Sequence, residues 1–426
     1  MFQTIVNAFK IKEVRKKIFI TILLLFIYRL GCYIPVPGVN LATQEGLFKD
    51  FNFLQIMSAV SGSALQYGTF FAMGIGPYIN ASIIIQLLSV AIPKLQMLSK
   101  QGEEGRRKLN NITRVATLVL AIAQSVGILV GFSQYVHPEY IFGATGFAKT
   151  LSYIFLVLVY TSGAALTMWI GERITDYGVS NGVSLLIFAG LLSTAGTAIL
   201  DLFTGWNDKS LWTIIGFLVA AVLIFGAITT VHNAERKVTV QYAKQVKGRK
   251  MYGGQSTHIP IKVNSSGVMP LIFAFSILSF PDLIINLLGY KSTWWTRHMG
   301  AGSWSYMFVL CLLILFFAYF YNQIQFNPDD VSKSIQGNGG FIPGIRPGKP
   351  TADYLRKTSN RITLFGAIFL ALVALIPSII FKAVGGEGLA NVFSATGLLI
   401  IVSVALEFEQ ALQSQIMMKN YRGFLK

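Results

Sequence analysis

One feature recurs along the whole chain: apolar runs long enough to form membrane-crossing helices, separated by short polar segments. About 20 apolar residues in a helix cover a bilayer core roughly 30 Å thick. Such runs lie at 18–37, 68–92, 112–133, 151–170, 182–203, 211–231, 267–288, 304–323, 362–381 and 389–409. They predict an all-α polytopic membrane protein with ten transmembrane helices. Composition agrees, because only 12% of residues are charged, against about 25% in soluble domains. An ordinary soluble enzyme and a disordered chain are excluded. The two cysteines, Cys32 and Cys311, both sit inside apolar runs, so a disulfide framework is excluded as well.

The apolar run at 52–61 is too short to cross. It suits either a re-entrant, pore-lining half-helix or a helix on the surface. Ahead of the first span, Phe2, Ile5, Val6, Phe9 and Ile11 form the apolar face of a short amphipathic helix expected on the cytoplasmic surface. The basic stretch and apolar run that follow resemble a signal peptide. The run is too long for one and no small-residue cleavage site follows it, so a signal anchor is the better reading.

An even number of spans puts both termini on one side. The formal net charge is +17, and its distribution between the sides gives the orientation. The terminal segments and the loops around 93–111, 232–266 and 324–361 hold, with Arg114 and Arg173, 28 of the 35 Lys and Arg residues. The opposite side holds 6, and Arg29 lies inside the first span. By the positive-inside rule both termini are cytoplasmic.

Ion-coupled transporters carry ionisable groups near the bilayer midplane. Here Arg29, Glu172, Asp201, Asp282, Glu407 and Glu409 all lie toward the ends of their runs. The four histidines are not at metal-ligand spacing, and no HExxH, GxSxG or phosphate-loop pattern is present. The chain therefore calls for no catalytic residue, metal or cofactor. A passive conduit or a scaffold fits better than a pump or an enzyme.

Two spans begin alike, with Gly74-Ile75-Gly76-Pro77 and Gly267-Val268-Met269-Pro270. They are the second helices of two five-helix halves, 1–209 and 210–426, which an odd helix number makes inverted repeats. Pro77 and Pro270 suit a helix's first turn, or bend it if they lie deeper. Bent helices at matching places would be the lips, or hinges, of an opening. The residues beside them, Ile75, Ile79 and Ile272, are apolar. A ring of such side chains excludes water and ions without using charge.

Two of the basic loops are long. The 232–266 loop has seven basic residues against one acid, and the 324–361 loop pairs six with Gly-Pro turns. Such loops can grip phosphate backbones or acidic protein surfaces. Alternatively they serve topology and touch anionic lipid.

Six segments carry a family resemblance: 100–109 (KQGEEGRRKL), 168–175 (MWIGERIT), 180–184 (SNGVS), 187–190 (IFAG), 255–264 (QSTHIPIKVN) and 344–348 (GIRPG). On them the chain resembles the SecY family, the large subunits of bacterial protein-conducting channels, from its first helix to its tail. The resemblance implies two inverted halves around an hourglass pore. Unfolded polypeptide would pass through that pore, or leave sideways into lipid between the second and seventh helices. It puts a pore ring on Ile75, Ile79, Val183, Ile187, Ile272 and Ile400, and a sealing plug helix on the short run containing Phe53, Leu54, Ile56 and Met57. Docking for the ribosome or the SecA motor falls on Lys244, Lys247, Arg249, Lys250 and Arg346. Implied partners are SecE, SecG, SecA, the ribosome, the unfolded preprotein or its signal peptide, and membrane lipid. The implied location is the bacterial cytoplasmic membrane.

The chain departs from that pattern at three places. Val183 stands where isoleucine is usual, and Ser61-Gly62-Ser63 and Ala395-Thr396-Gly397 replace glycine-richer forms. Two readings of other classes compete with a channel. A small-solute carrier needs polar groups converging at the midplane, and an assembly scaffold needs no sealed apolar ring.

Overall fold

The computed structural model describes residues 2–39, 61–131, 136–143, 145–204, 211–242, 245–247, 250–252, 256–264, 267–287, 303–384 and 395–423, with the single residues 58, 133, 295, 298 and 299. A short α1 (Phe2–Lys10) leads into α2 (Lys12–Gly31). Then come α3 (Gly76–Ala91), α4 (Pro93–Lys100), α5 (Gly102–Gly131), α6 (Gly146–Tyr177) and α7 (Gly182–Thr204). The later helices are α8 (Leu211–Asn233), α9 (Met269–Leu287), α10 (Trp304–Gln325), α11 (Pro328–Gly337), α12 (Lys349–Val384) and α13 (Ala395–Gly423). Each of the ten apolar runs is occupied by one of the long helices. Among the described residues, α5, α6, α12 and the α10–α11 stretch are apolar and long enough to cross alone, and α3 with α4 would make a fifth, broken span.

The boundaries differ from the apolar runs in a consistent way. Several helices continue past their apolar runs on the basic side, where charge pairing replaces burial. The first turns of α5 carry Glu103–Arg107 and Glu104–Lys108 pairs, each at 2.9 Å and one turn apart. The second run differs most. Helix begins only at Gly76, and residues 61–75 are turns, because Gly62, Gly68 and Gly74 hold positive φ. Helix α3 then ends at a 106° bend into α4, at Ile92-Pro93.

Helix packing relies on close approach and on buried polar pairs, as lipid offers no hydrophobic drive between helices. A Cβ on Gly163 of α6 would collide with the Phe70 carbonyl, so glycine lets the 61–75 turns lie against that helix. Between α10 and α12, Asn322 and Ser359 are both buried and exchange hydrogen bonds of 2.9 and 3.1 Å. Such interhelical bonds contribute about 0.6 kcal/mol on average. One apolar cluster runs through the centre and includes Tyr28, Ile75, Ile174, Leu186, Leu271 and Ile314. The α1 helix does form, but it rests on protein: Ala8 is buried with Val14, Val179 and Leu412, while Val6 and Phe9 stay exposed.

On the basic side the two long loops are folded, and folded together. Strands β1 (Glu235–Tyr242) and β4 (Ser256–Lys262) pair antiparallel from Glu235↔Lys262 to Gln241↔Ser256. Between them β2 (Gln245–Lys247) and β3 (Lys250–Tyr252) form a second hairpin. The 324–361 loop supplies α11 and β5 (Gly340–Phe341), which pairs with the free edge of β1. Val238, Val240, Ile261, Ile335, Ile342 and Leu355 form their shared apolar core.

Candidate functional site

The N-terminal turns of four helices converge on one cavity of about 260 Å³, with α7 and α9 entered from the basic side and α3 and α13 from the opposite side. Ile79 comes from α3, Val183 and Ile187 from α7, Ile272 from α9 and Ile400 from α13. Five of the six positions proposed for the ring therefore face one space. The sixth, Ile75, is buried in the surrounding apolar cluster and caps the start of α3. Spacing explains the convergence, because residues four apart share a helix face. Ile75 and Ile79, Val183 and Ile187, Val268 and Ile272, and Ile400 and Val404 are such pairs, and all but Ile75 line the cavity.

Toward the basic side the same cavity becomes polar. Its mouth is lined by Asn110, Arg114, Glu172, Thr175, Asp176 and Asn181. Arg114 Nε donates to Glu172 Oε1 at 2.7 Å and its Nη1 to Asn111 Oδ1 at 3.3 Å, joining α5 to α6. Where α3 passes α10, the Tyr321 phenol donates to Gln86 Oε1. The arrangement is a polar, charged entrance above an apolar floor. Among the described residues no cluster of His, Cys, Asp or Glu could hold a metal.

Ser82, Gln86 and Tyr321 were not among the sequence candidates. Ile75, Ile79, Ser82 and Gln86 are spaced four, three and four apart, one helical face, which is the signal that would have found the first two. The prolines act at helix starts: Pro77 is in the first turn of α3 and Pro270 in that of α9. The proline inside α9 is Pro281. Phe53, Leu54, Ile56 and Met57 lie outside the described residues, as do Lys244 and Arg249. Lys247 and Lys250 face each other in register at the end of the β2–β3 hairpin. Arg346 is exposed in the turn after β5, with its carbonyl accepting from Thr351 Oγ1 at 2.8 Å.

At the base of this basic unit His232 is buried, with no hydrogen-bond partner at Nδ1. Burial, and then the charge of Lys262, push its pKa below the usual histidine value. Lys262 itself donates to Gln410 of α13 at 2.9 Å.

The sequence model of the SecY family matches residues 69–409. The protein translocase subunit SecY of Corynebacterium glutamicum is 40% identical over 448 aligned positions, which cover 99% of each chain. The chain belongs to the SecY family. Its backbone is similar to a solved protein-conducting channel, with a TM-score of 0.67 at 18% identity over 94% of this chain and 92% of that one. It is also similar to Sec61 in the canine ribosome–channel complex from the endoplasmic reticulum, with a TM-score of 0.63 at 17% identity and the same coverage. As a SecY-family protein translocase subunit it spans a membrane and forms a protein-conducting channel. A solute carrier or a scaffold is set aside.

Proposed function

We propose that Ile75, Ile79, Val183, Ile187, Ile272 and Ile400 form the constriction through which unfolded secretory polypeptide crosses the bacterial cytoplasmic membrane. The observation that carries this reading is the single cavity with a charged mouth and an apolar floor, to which five of these residues contribute. An apolar ring resists hydration when narrow and yields to a chain pushed through it, so it seals without selecting sequence. The short segment with Phe53, Leu54, Ile56 and Met57 acts as the plug that completes the resting seal. The halves 1–209 and 210–426 part between α3 and α9, with Pro77 and Pro270 as hinges, and release membrane segments into lipid. Both termini are cytoplasmic, in keeping with the 28 basic residues on that side.

The channel binds no cofactor and catalyses no reaction, and the drive comes from an external motor, SecA, or from the ribosome. Lys244, Lys247, Arg249, Lys250 and Arg346 are the docking positions. The β1–β5 pairing supports treating both loops as one platform, and the canine relative's complex with a ribosome supports the kind of partner. SecE and SecG complete the membrane complex.

The test is crosslinking from a stalled secretory chain to single cysteines at positions 79, 187, 272 and 400. Labelling at all four is expected. Labelling confined to a lipid-facing control such as position 222, where Val222 is exposed, would overturn the assignment.

A further inference from the structure

Arg29 is the ionisable residue of the first span that neither the pore nor the docking face uses. A charged group at membrane depth is costly unless its donors are taken up by protein. Its three partners come from three parts of the fold. Nη1 donates to the Gly62 carbonyl at 3.0 Å, and Nη2 donates to the Tyr33 hydroxyl at 3.2 Å and to Ser193 Oγ. The guanidinium also lies over the Tyr33 ring, 5.0 Å from its centroid. One fork thus joins α2, the turn at 61–63 and the middle of α7.

That turn is shaped to fit the fork. Gly62 and Ser63 both hold positive φ, 65° and 69°, a conformation that Ser adopts only where its surroundings enforce it. A Cβ on Gly62 would collide with the guanidinium on one side and come within 3.2 Å of the Gly190 Cα on the other. Further bonds fix the same stretch. Ser61 Oγ donates to the Ser58 carbonyl at 3.1 Å, and the Ser63 amide donates to that carbonyl at 2.8 Å. The Cys32 thiol donates to the Ser61 carbonyl at 3.7 Å. The turn is clamped between α2 and α7, the helix that brings Val183 and Ile187 to the cavity.

We infer that Arg29 is a positioning residue for the resting seal: its fork fixes the 61–63 turn on α7 and thereby sets the seat of the plug segment that precedes it. The inference rests on the plug reading above. Removing the fork frees the turn from α7 while leaving every ring residue in place, so a channel without it is incompletely closed at rest. Lysine keeps the charge but has a single donor nitrogen in place of the planar fork whose two nitrogens reach Gly62, Tyr33 and Ser193.

The experiment uses the assembled translocase in membrane vesicles and reads passive halide leak and export of a preprotein with a weakened signal sequence, each normalised to inserted protein. Arg29→Gln is expected to raise leak several-fold and to improve export of the weakened substrate. Ser193→Ala, which keeps the charge, gives a smaller change in the same direction, and Arg29→Lys lies between Arg29→Gln and the parent. Deleting 52–57 is the reference, and Arg29→Gln combined with it should leak no more than the deletion alone. If the deletion leaks and both Arg29→Gln and Ser193→Ala are as tight as the parent, the role of Arg29 is overturned and the plug stands. If the deletion itself is tight, the plug reading falls and the role of Arg29 with it. Should Arg29→Gln fail to insert, Ser193→Ala and Arg29→Lys decide the matter by the same leak measurement.

Discussion

The Tyr321 phenol donates a hydrogen bond to the Gln86 side-chain carbonyl, tying α10 to α3 beside the cavity. The bond lies where the proposed sideways exit must part. An interhelical bond in a membrane protein is worth about 0.6 kcal/mol on average and about 1.7 at most. Tyr321→Phe keeps the ring, which packs against Phe273 at 4.8 Å between centroids, and removes only this bond. The closed state should lose roughly three- to twenty-fold in relative population. Export of preproteins with less hydrophobic signals should rise accordingly, with the amount of inserted protein unchanged. An unaltered signal threshold would show that the bond does not hold the exit shut.

The apolar floor makes a second expectation. Ile272 reaches the cavity from α9 and Ile400 from α13. Placing an amide in a site that must stay dry costs about 1–3 kcal/mol, which is roughly a 5- to 150-fold shift toward a hydrated state. Ile272→Asn, alone or with Ile400→Asn, should raise ion leak and relax substrate selection. Unchanged leak together with unchanged export would sink the constriction assignment.

The all-helical architecture was legible because apolar length is a strong signal, and a helix lies in each of the ten apolar runs. What length could not reveal was where backbone stops being helical within apolar sequence. Residues 68–75 belong to the second apolar run, yet positive φ at Gly68 and Gly74 keeps them in turns. The basic loops were read for charge, and their strands went unseen. Yet β1 alternates, with Val238 and Val240 buried and Lys237 exposed, the period of a half-buried strand. Ile79 and Ile272 were found from the matching proline-bearing helix starts, and Val183, Ile187 and Ile400 from the family resemblance. Gln86 and Tyr321 were missed because one polar side chain near the end of a span reads as an interfacial residue.

Docking gives a third expectation. Arg346 is exposed on a turn held to β1 through β5, so reversing its charge leaves the apolar core beneath it untouched. Arg346→Glu should slow motor-driven export several-fold, and rising salt should weaken docking of the parent in the same direction, because exposed charge contacts are screened. Insertion and thermal stability should not change. Normal export at low salt would reduce this turn to a topological signal.

His232 makes stability depend on pH. It is buried at the end of α8 with Lys262 nearby, and its pKa is depressed in the folded protein. The unfolded chain takes up a proton near pH 6.5, while the folded chain does so only at lower pH. Stability from this residue is therefore complete above about pH 6.5 and is lost as pH falls toward the depressed value, at about 1.4 kcal/mol per pH unit between the two. In detergent, the unfolding temperature of the parent should fall more between pH 7.5 and pH 5.5 than that of His232→Gln. Lys262→Met removes the repelling charge and should give an intermediate slope. Parallel pH profiles for all three proteins would show that His232 is protonated without penalty in the folded state.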